Sequence, residues 1–504
     1  MALSHGVKVL TDKQMYDVHW HVLRVLSEVG VELFVSDDAL ERIAARGLKV
    51  DKAAHRVWLT EESVLETIRQ LSGARSSEVT VYGVDKEPLP HVLPARLSYG
   101  FGATFGFVLD SDGREMRAVR REDMLDALRL QKHLTGAEPT GCGLLTQEVP
   151  GPVAYVHTSA FNAKYCRQPQ ATDCDEPRDA QWITRIMRAA GAWDETQEHR
   201  GSIYARSPLC LTGRGAEWLE KAARDGHPAR ATGMPTSGAT APGTVAGYLV
   251  SYLAESLGFA TLGRLIATPP NDVLSPSEWG DDITAMDMRQ GIYFLAGPEV
   301  SLMRMGMKQM LGEFYKMPGG HCCGVRIYTE AKVPGIQAGM EKTFQALCDL
   351  MVGMRSEAPE PVAWLGCGGA LNCNLSLSFE QAVLDFELCG MLNRLLAGIR
   401  ADKDAIGLNA YKRVGPSGEF LSDEHTLRYV QSEWWFPSLM HRGGWNQWNA
   451  EGRPSMLDRA REVVEASKGV QIELAVDEDT AREIDRLVQE AERDLLGTTT
   501  GVLP

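Results

Sequence analysis

A chain of 504 residues exceeds what one minimal core fills, and fits one large barrel with additions or two domains. Hydrophobic residues make up 44% and charged residues 24%, and 67 acidic against 52 basic side chains leave a net charge of −15, which argues against nucleic acid as a partner. No stretch reaches the apolar length of a membrane span, the start MALSHGVKVLTDKQ lacks a signal peptide's apolar region, and 10 scattered cysteines fit reduced thiols, so the chain reads as cytoplasmic with no membrane partner.

Thr11 and Gln14 form a capping box ahead of a helix whose Met15, Val18, Val22, Val25, Leu26 and Val29 share one face, with Gly30 as its stop. Helices over 38–46 and 61–71 complete a helical module. FGFVLDSDGREMRAV predicts a hairpin around the turn Asp110-Ser111-Asp112-Gly113. Its spacing hints at calcium, but the further ligands and terminal Glu of an EF-hand loop are missing. GFGATFG, from Gly100 to Gly106, has the composition of a dinucleotide loop with the wrong spacing, and a hairpin rather than a helix follows it.

From about 140 to 400, short strand-like runs alternate with longer helical ones. GSIYARS precedes a helix around 218–223, ARATGMP one over 244–262, and GIYFLAG one over 299–315. HCCGVRIYT precedes 339–352, and VAWLGCGG precedes 380–396. Repeated strand–loop–helix units predict a parallel sheet, open or closed into a barrel, with a pocket at its C-terminal rim. Beyond 400 the chain turns polar and helical. A last helix starts at a capping box of Thr480 and Glu483, with Ile484, Leu487, Val488, Ala491 and Leu495 on one stripe.

His321, Cys322, Cys323, Cys367 and Cys373 raise the prospect of zinc, which in a catalytic site wants three protein ligands and an open position. Adjacent Cys322 and Cys323 on a strand point to opposite faces, however. The five residues between Cys367 and Cys373 also differ from the close pairs of zinc ribbons. No HExxH, GxSxG elbow or P-loop occurs.

Longer blocks point elsewhere: LTDKQMYDVHWHVLRVLSEVGVEL, PTSGATAPGTVAG, MDMRQGIYFLAGPE, KVPGIQAGMEKT, SLSFEQAVLDFELCGMLNRLLAGI and HTLRYVQSEWWFPSL. This ordered set spans nearly the whole chain and resembles the trimethylamine methyltransferase superfamily in its non-pyrrolysine branch. The resemblance implies an α/β fold, a TIM-type (β/α)8 barrel with helical additions at the N- and C-termini. A helical module would occupy 1–90, the barrel with its entry hairpin 91–400, and a helical extension packed on the barrel 401–504. It also implies transfer of a methyl group from a quaternary amine, glycine betaine or a related betaine, to the Co(I) of a separate corrinoid protein. The sequence has no DxHxxG cobalamin signature, so the corrinoid is expected on that partner, with no cofactor bound tightly by this chain. A homo-oligomer is expected.

The chemistry makes the branch intelligible. Displacing a methyl from neutral trimethylamine would expel an amide anion, whereas a quaternary ammonium leaves as a neutral tertiary amine. Positioning and water exclusion then suffice, without an acid, a covalent nucleophile or zinc. A trimethylammonium head donates no hydrogen bond and is best held by aromatic faces, each worth roughly 0.5–2 kcal/mol. The candidates are Tyr99, Phe101, Tyr204, Phe294 and, foremost, Trp364, which leads into Gly366-Cys367-Gly368-Gly369. Each taken alone also fits ordinary core packing.

The betaine carboxylate wants donors: His321, Arg326, and the amides of Gly368 and Gly369. His321 fits equally a satisfied buried histidine, and Arg326 fits an ion pair with Glu330 or Glu341. Gln337 and Glu380, inside the family-like blocks, support the pocket or cap the helices that follow. GMRSEAPEPVAWLGCGGALNCN is longer and richer in Pro and Glu than the resemblance leads one to expect, where substrate selection would occur. Two rival readings stand beside this one: a zinc-assisted methyltransferase using the Cys/His loops, and a quaternary-amine-binding protein without turnover.

Overall fold

The helix signalled by Thr11 and Gln14 forms as spaced. In the computed structural model, Gln14 N donates to Thr11 Oγ1 at 3.3 Å and Thr11 N to Gln14 Oε1 at 2.9 Å, opening α1 (Asp12–Arg24). The structure describes residues 7–72, 79–80, 83–84, 91–92, 96–100, 104–111, 113–172, 174, 176–199, 201–226, 230–267, 283–317, 324–352, 354–355 and 362–504. Met15, Val18, Val22 and Leu26 are buried. Val29 is exposed, because the helix widens into one π turn, Val25–Val29, before Gly30 turns the chain at φ +74°. A Cβ on Gly30 would stand 2.5 Å from Val57 O, so the position takes only glycine.

α2 (Asp37–Ala45) and α3 (Glu61–Leu71) follow within a residue of expectation. Helical periodicity misses the small sheet that accompanies them, whose strands Val31–Leu33, Lys49–Asp51 and Arg56–Trp58 are too short for alternation to register. Val31–Leu33 also pairs in parallel with Cys210–Leu211, so the N-terminal segment is joined to the middle of the chain. Leu26, Leu33, Leu40, Ile43 and Ile68 share one core with Tyr252, Leu253 and Leu257.

The hairpin forms in register, Phe107 opposite Ala118 and Leu109 opposite Met116. Arg117 on its return strand donates to Asp110 at 3.0 Å and to both Asp123 oxygens at 2.7 Å, tying the hairpin to the start of α4 (Arg121–Thr135). α5 (Gly151–Tyr165) and α6 (Pro177–Ala189) carry proline in their first turns, where no amide partner is lost. There follow α7 (Arg214–Asp225), α8 (Val245–Ile266), α9 (Pro298–Gln309), α10 (Ile336–Val352) and α11 (Phe379–Leu396).

Between these helices, Ser202–Tyr204 pairs in parallel with Arg230–Thr232, and Thr236–Ser237 with Thr284–Asp287. Gly324–Arg326 pairs in parallel with Val362–Gly366, which also pairs in parallel with Arg96–Tyr99. The GIYFLAG run departs from expectation: Ile292–Phe294 runs antiparallel to Thr284–Asp287. The turn between them reverses the chain, with Gly291 N donating to Asp287 O at 2.8 Å and Gly291 at φ +66°. The parallel strand of that unit therefore lies upstream of the run.

α8 corrects another expectation. By length and composition it could cross a membrane, but 72% of that window is buried inside the protein, where α1, α2, α3, α7 and α9 surround it.

Beyond α11 the chain divides. Four short helices follow, α12 (Lys403–Ile406), α13 (Leu408–Val414), α14 (Glu424–Glu433) and α15 (Trp445–Ala450); the Tyr429 hydroxyl of α14 donates to Asp404 of α12 at 2.7 Å, and Arg394 of α11 donates to Glu433 O at the end of α14. α16 (Met456–Ser467) lies on α11 and α4, and α17 (Glu478–Leu496) on α5 and α6. The α17 stripe of Ile484, Leu487, Val488 and Ala491 is buried, but its cap is Asp477, whose Oδ1 accepts from Thr480 N at 2.8 Å. A carboxylate one turn earlier takes the Thr480 amide that Glu483 was expected to accept from in the capping box. Lys164 to Asp485 (2.7 Å) and His157 to Glu492 (2.9 Å) pin this helix down.

Candidate functional site

Three loops meet just past the strand Gly324–Arg326. One Glu330 oxygen accepts from Leu295 N at 2.7 Å and Ala296 N at 3.1 Å, and the other accepts from Cys373 Sγ. Glu341, in α10, accepts from Thr329 Oγ1 at 2.5 Å, from Glu330 N at 2.8 Å and from Gln337 Nε2 at 3.0 Å. Asn372 N donates to Ala331 O at 2.8 Å and Cys373 N to Thr329 O at 3.0 Å. Loops around 295, 330 and 372 are thereby fixed as one body. Burial and the adjoining Glu330 push the Cys373 thiol up to about 12, so it is a protonated donor rather than a thiolate.

Arg326 lies along Gly366, where a Cβ would meet its side chain at 3.2 Å, and its Nη1 is 3.8 Å from Cys367 Sγ. Glu330 and Glu341, the expected acidic partners of Arg326, are engaged by the amides, hydroxyl and thiol above. Cys367 and Cys373 therefore face different groups. Among the described residues no group of three or more His, Cys, Asp or Glu could hold a metal ion. His321, Cys322 and Cys323 lie outside the described residues, as do Phe101 and Asp112.

The glycine loop is tied into the core. Tyr99 is buried, its hydroxyl donates to Ala382 O at 2.7 Å, and its ring meets Phe386 edge-on at 5.4 Å. Burial, and then the charges of Asp385 and Cys389, push its phenol well above the usual range. A Cβ on Gly368 would stand 2.5 Å from that hydroxyl, so the bare backbone is what lets the ring lie there. Tyr99 thus belongs to the packing between its strand and α11 rather than to an open aromatic face. Gly369 N donates to Asp385 Oδ2 at 2.8 Å, so this amide is not open to a ligand carboxylate as expected.

Trp364 stands mid-strand between Gly324 and Ser98, its backbone alone being described. Tyr204 ends its strand opposite Thr232 and is 37% exposed, the one expected aromatic with a substantially open face among the described residues. Phe294 is half-buried beside Ala285, immediately before the two amides that Glu330 receives. Gln337 is exposed and reaches only its own helix at Glu341. Glu380 is buried, accepts from Ser378 Oγ at 2.9 Å, and borders a separate open cleft of about 440 Å³ with Asp110, Arg117, Asp126 and Lys468. The structure thus brings Phe294, Arg326, Gln337 and the glycine loop into neighbouring loops, and sets Glu380 on the hairpin side.

Three charged side chains escaped sequence reasoning. Glu255, fully buried midway along α8, accepts from Leu209 N at 2.9 Å, Ser207 Oγ at 2.7 Å and Met234 N at 3.2 Å. It thereby ties together the loops after Ser202–Tyr204 and Arg230–Thr232, and burial raises its pKa against those donors. Lys342 and Asp385 form a buried pair at 2.6 Å. The available signal for Glu255 was a lone charge in an apolar helical run, SYLAESLGFA; Asp385 lies in EQAVLDFEL beside Glu380 and Glu387, so no such signal set it apart.

A family model described as trimethylamine methyltransferase (MTTB) matches residues 3–495, and the chain belongs to this family: it is a methyltransferase. It is 26% identical over 456 residues to the glycine betaine methyltransferase of Desulfitobacterium hafniense (strain Y51), covering 88% of each chain. To the trimethylamine methyltransferase MttB of D. hafniense (strain DSM 10664 / DCB-2) it is 24% identical over 464 residues, 91% of this chain and 88% of that one. To MttB2 of Methanosarcina mazei it is 27% identical over 507 residues, 97% and 96% of the two chains.

Proposed function

We propose that this methyltransferase takes a methyl group from a betaine and passes it to the Co(I) of a corrinoid carried by a separate protein. The observation that carries the reading is the match over 3–495, with a glycine betaine methyltransferase among the relatives, in a chain whose sequence contains no pyrrolysine. The partner's reduced cobalt would supply the nucleophile. As the C–N bond breaks its electron pair stays on nitrogen, so the amine departs neutral and no side chain need donate a proton.

The chain's own task is to position a cation and keep water away. Glu330 and Glu341 lend the loop cluster negative potential, which suits an ammonium, and their hydrogen bonds hold the three loops in fixed relation. Arg326 beside Gly366 is the candidate for the substrate carboxylate, and Tyr204 a candidate aromatic face. The barrel reading is supported by the parallel pairing of Val362–Gly366, late in the series, with Arg96–Tyr99 at its beginning, as a closed sheet requires.

The test is the visible spectrum of a corrinoid protein reduced to Co(I), mixed with the purified chain and a panel of betaines. Formation of methyl-Co(III) with one of them establishes the reaction and its substrate. No conversion by any betaine, with a corrinoid partner shown to be competent, sinks the proposal, and stoichiometric zinc in the protein would then favour the metal-assisted reading.

A further inference from the structure

Three buried carboxylates show what such a group needs in this fold. Glu387 accepts from Ser438 N, Ser438 Oγ, Leu439 N and Met440 N. Asp385 accepts from Lys342 Nζ, Gly369 N and Gln381 Nε2, and Glu255 from Ser207, Leu209 and Met234. Glu380 breaks the pattern. It is 4% exposed, yet Ser378 Oγ is its sole hydrogen-bond donor among the described residues. A carboxylate withdrawn this far from water is costly unless a cation or further donors replace the lost hydration.

The cleft that Glu380 lines has room for the missing partner. Its second oxygen is not sealed off, and it opens on about 440 Å³ of space between the hairpin, α4, α11 and α16. That volume lies within the roughly 300–1,000 Å³ of small-molecule sites. The other charges there are already engaged. Asp110 and Asp123 pair with Arg117, Asp126 with Arg129 at 2.8 Å, and Lys468 with Glu465 on the solvent side. Four lining carboxylates against two lining cations, Arg117 and Lys468, leave the cleft negative.

Chemistry narrows the occupant. A divalent metal wants several converging oxygens, and those of Asp110, Asp123 and Asp126 are tied to arginines. A guanidinium is best matched by two free carboxylate oxygens, and Glu380 offers one. A quaternary ammonium donates no hydrogen bond, whereas a protonated amine brings both the charge and the N–H. Val108, Leu109, Phe379 and Val464 supply walls for an alkyl chain.

We propose that this cleft is a binding site for a small protonated aliphatic amine, its N–H donating to Glu380 and its chain lying along Phe379 and Val464. The site is separate from the loop cluster around Glu330, but stands one hydrogen bond from the glycine loop. Ser378, whose hydroxyl holds Glu380, donates its own amide to Gly369 O at 2.9 Å. The site stands or falls independently of the betaine reading.

A ligand-observed NMR titration of the full chain with n-propylammonium tests it, at about pH 7.5 and about 0.15 M salt. One saturable site with a Kd of about 1–10 mM is expected for so small a probe. Glu380→Gln should weaken it about 10-fold or more, by removing the charge that the ammonium meets. Tetramethylammonium, with the same charge and no N–H, should bind about 10-fold more weakly than propylammonium to the wild type. No saturable binding, equal affinity for the two cations, or a Kd that Glu380→Gln leaves unchanged overturns the proposal. Should Glu380→Gln fail to fold, Lys468→Met decides, since it removes a like charge from the rim of the cleft. The probe should then bind about threefold tighter, and an unchanged Kd would place it elsewhere on the protein.

Discussion

Replacing Lys342 by methionine keeps most of the stem's volume and leaves Asp385 without its cation. The two side chains are 1% and 2% exposed and 2.6 Å apart. The same Asp385 oxygen accepts from Gly369 N at 2.8 Å, and the other accepts from Gln381 Nε2 at 2.8 Å. Breaking a buried pair from one side costs about 3–5 kcal/mol, and two surviving donors place Lys342→Met near the lower end, about 3 kcal/mol. Burial already raises the Asp385 pKa, and Lys342 heads the influences that oppose it. Without Lys342 the folded-state pKa climbs further above the unfolded value of about 3.9. The folded variant then holds a proton the unfolded chain lacks, so its deficit is largest near neutrality and shrinks as pH falls through that raised pKa. Urea unfolding of wild type and variant at about pH 7.5 and about pH 5.5 reads both effects. Adding Asp385→Asn, which still offers an oxygen to Gly369 N, should restore most of the loss. A variant within about 1 kcal/mol of wild type near neutrality, or a deficit that grows on acidification, would refute this account of how the glycine loop is held.

His19 sits between Phe314 and Tyr315 with Nδ1 3.1 Å from the Tyr315 hydroxyl, and burial lowers its pKa to about 4. The fold prefers the neutral ring, so stability is full above the unfolded pKa of about 6.5 and falls as pH drops towards 4, by about 3 kcal/mol in all. His19→Gln should abolish that share of the slope, and an unaltered slope would assign it to other groups. Glu255→Ala strands the Leu209 and Met234 amides and the Ser207 hydroxyl, at a cost of about 2–4 kcal/mol. Hydrogen exchange at those two amides should quicken, and unchanged protection would show that Glu255 does not hold them. Cys373, with its thiol at about 12, should be about one part in 10,000 ionised at pH 8 and resist iodoacetamide. Glu330→Gln should speed its labelling by mass-spectrometric mapping, and equal rates would remove Glu330 as the cause.

What the sequence made legible was local. The α1 and α17 stripes, the Gly30 stop and the presence of the hairpin each follow from spacing within a few residues. The direction of Ile292–Phe294 was hidden because strand propensity carries no polarity, and the turn at Gly291 decides it. Tyr99 shows the limit for single site residues: neighbouring strand positions face opposite sides, and only the pairing to Leu365 and the contact with Ala382 show that its ring goes towards α11. Glu330 had no chance of being placed from spacing, since its partners lie 34, 35 and 43 residues away along the chain. Gly368 and Gly369 were read as amide donors to a ligand carboxylate, whereas the Gly368 backbone lies against the Tyr99 ring and the Gly369 amide serves Asp385.

The Glu255 carboxylate has a consequence before the protein is folded at all. As α8 emerges from the ribosome its 22 residues are bare, and by length and hydropathy they read as a membrane anchor. A charged residue at the centre of such a segment costs about 2.5–3.5 kcal/mol during insertion into a bilayer. Glu255 sits at that midpoint, with Arg264 near the end. The side chain that later knits two loops together is thus also a guard during synthesis, turning a nascent segment of anchor length away from the lipid and towards its own core.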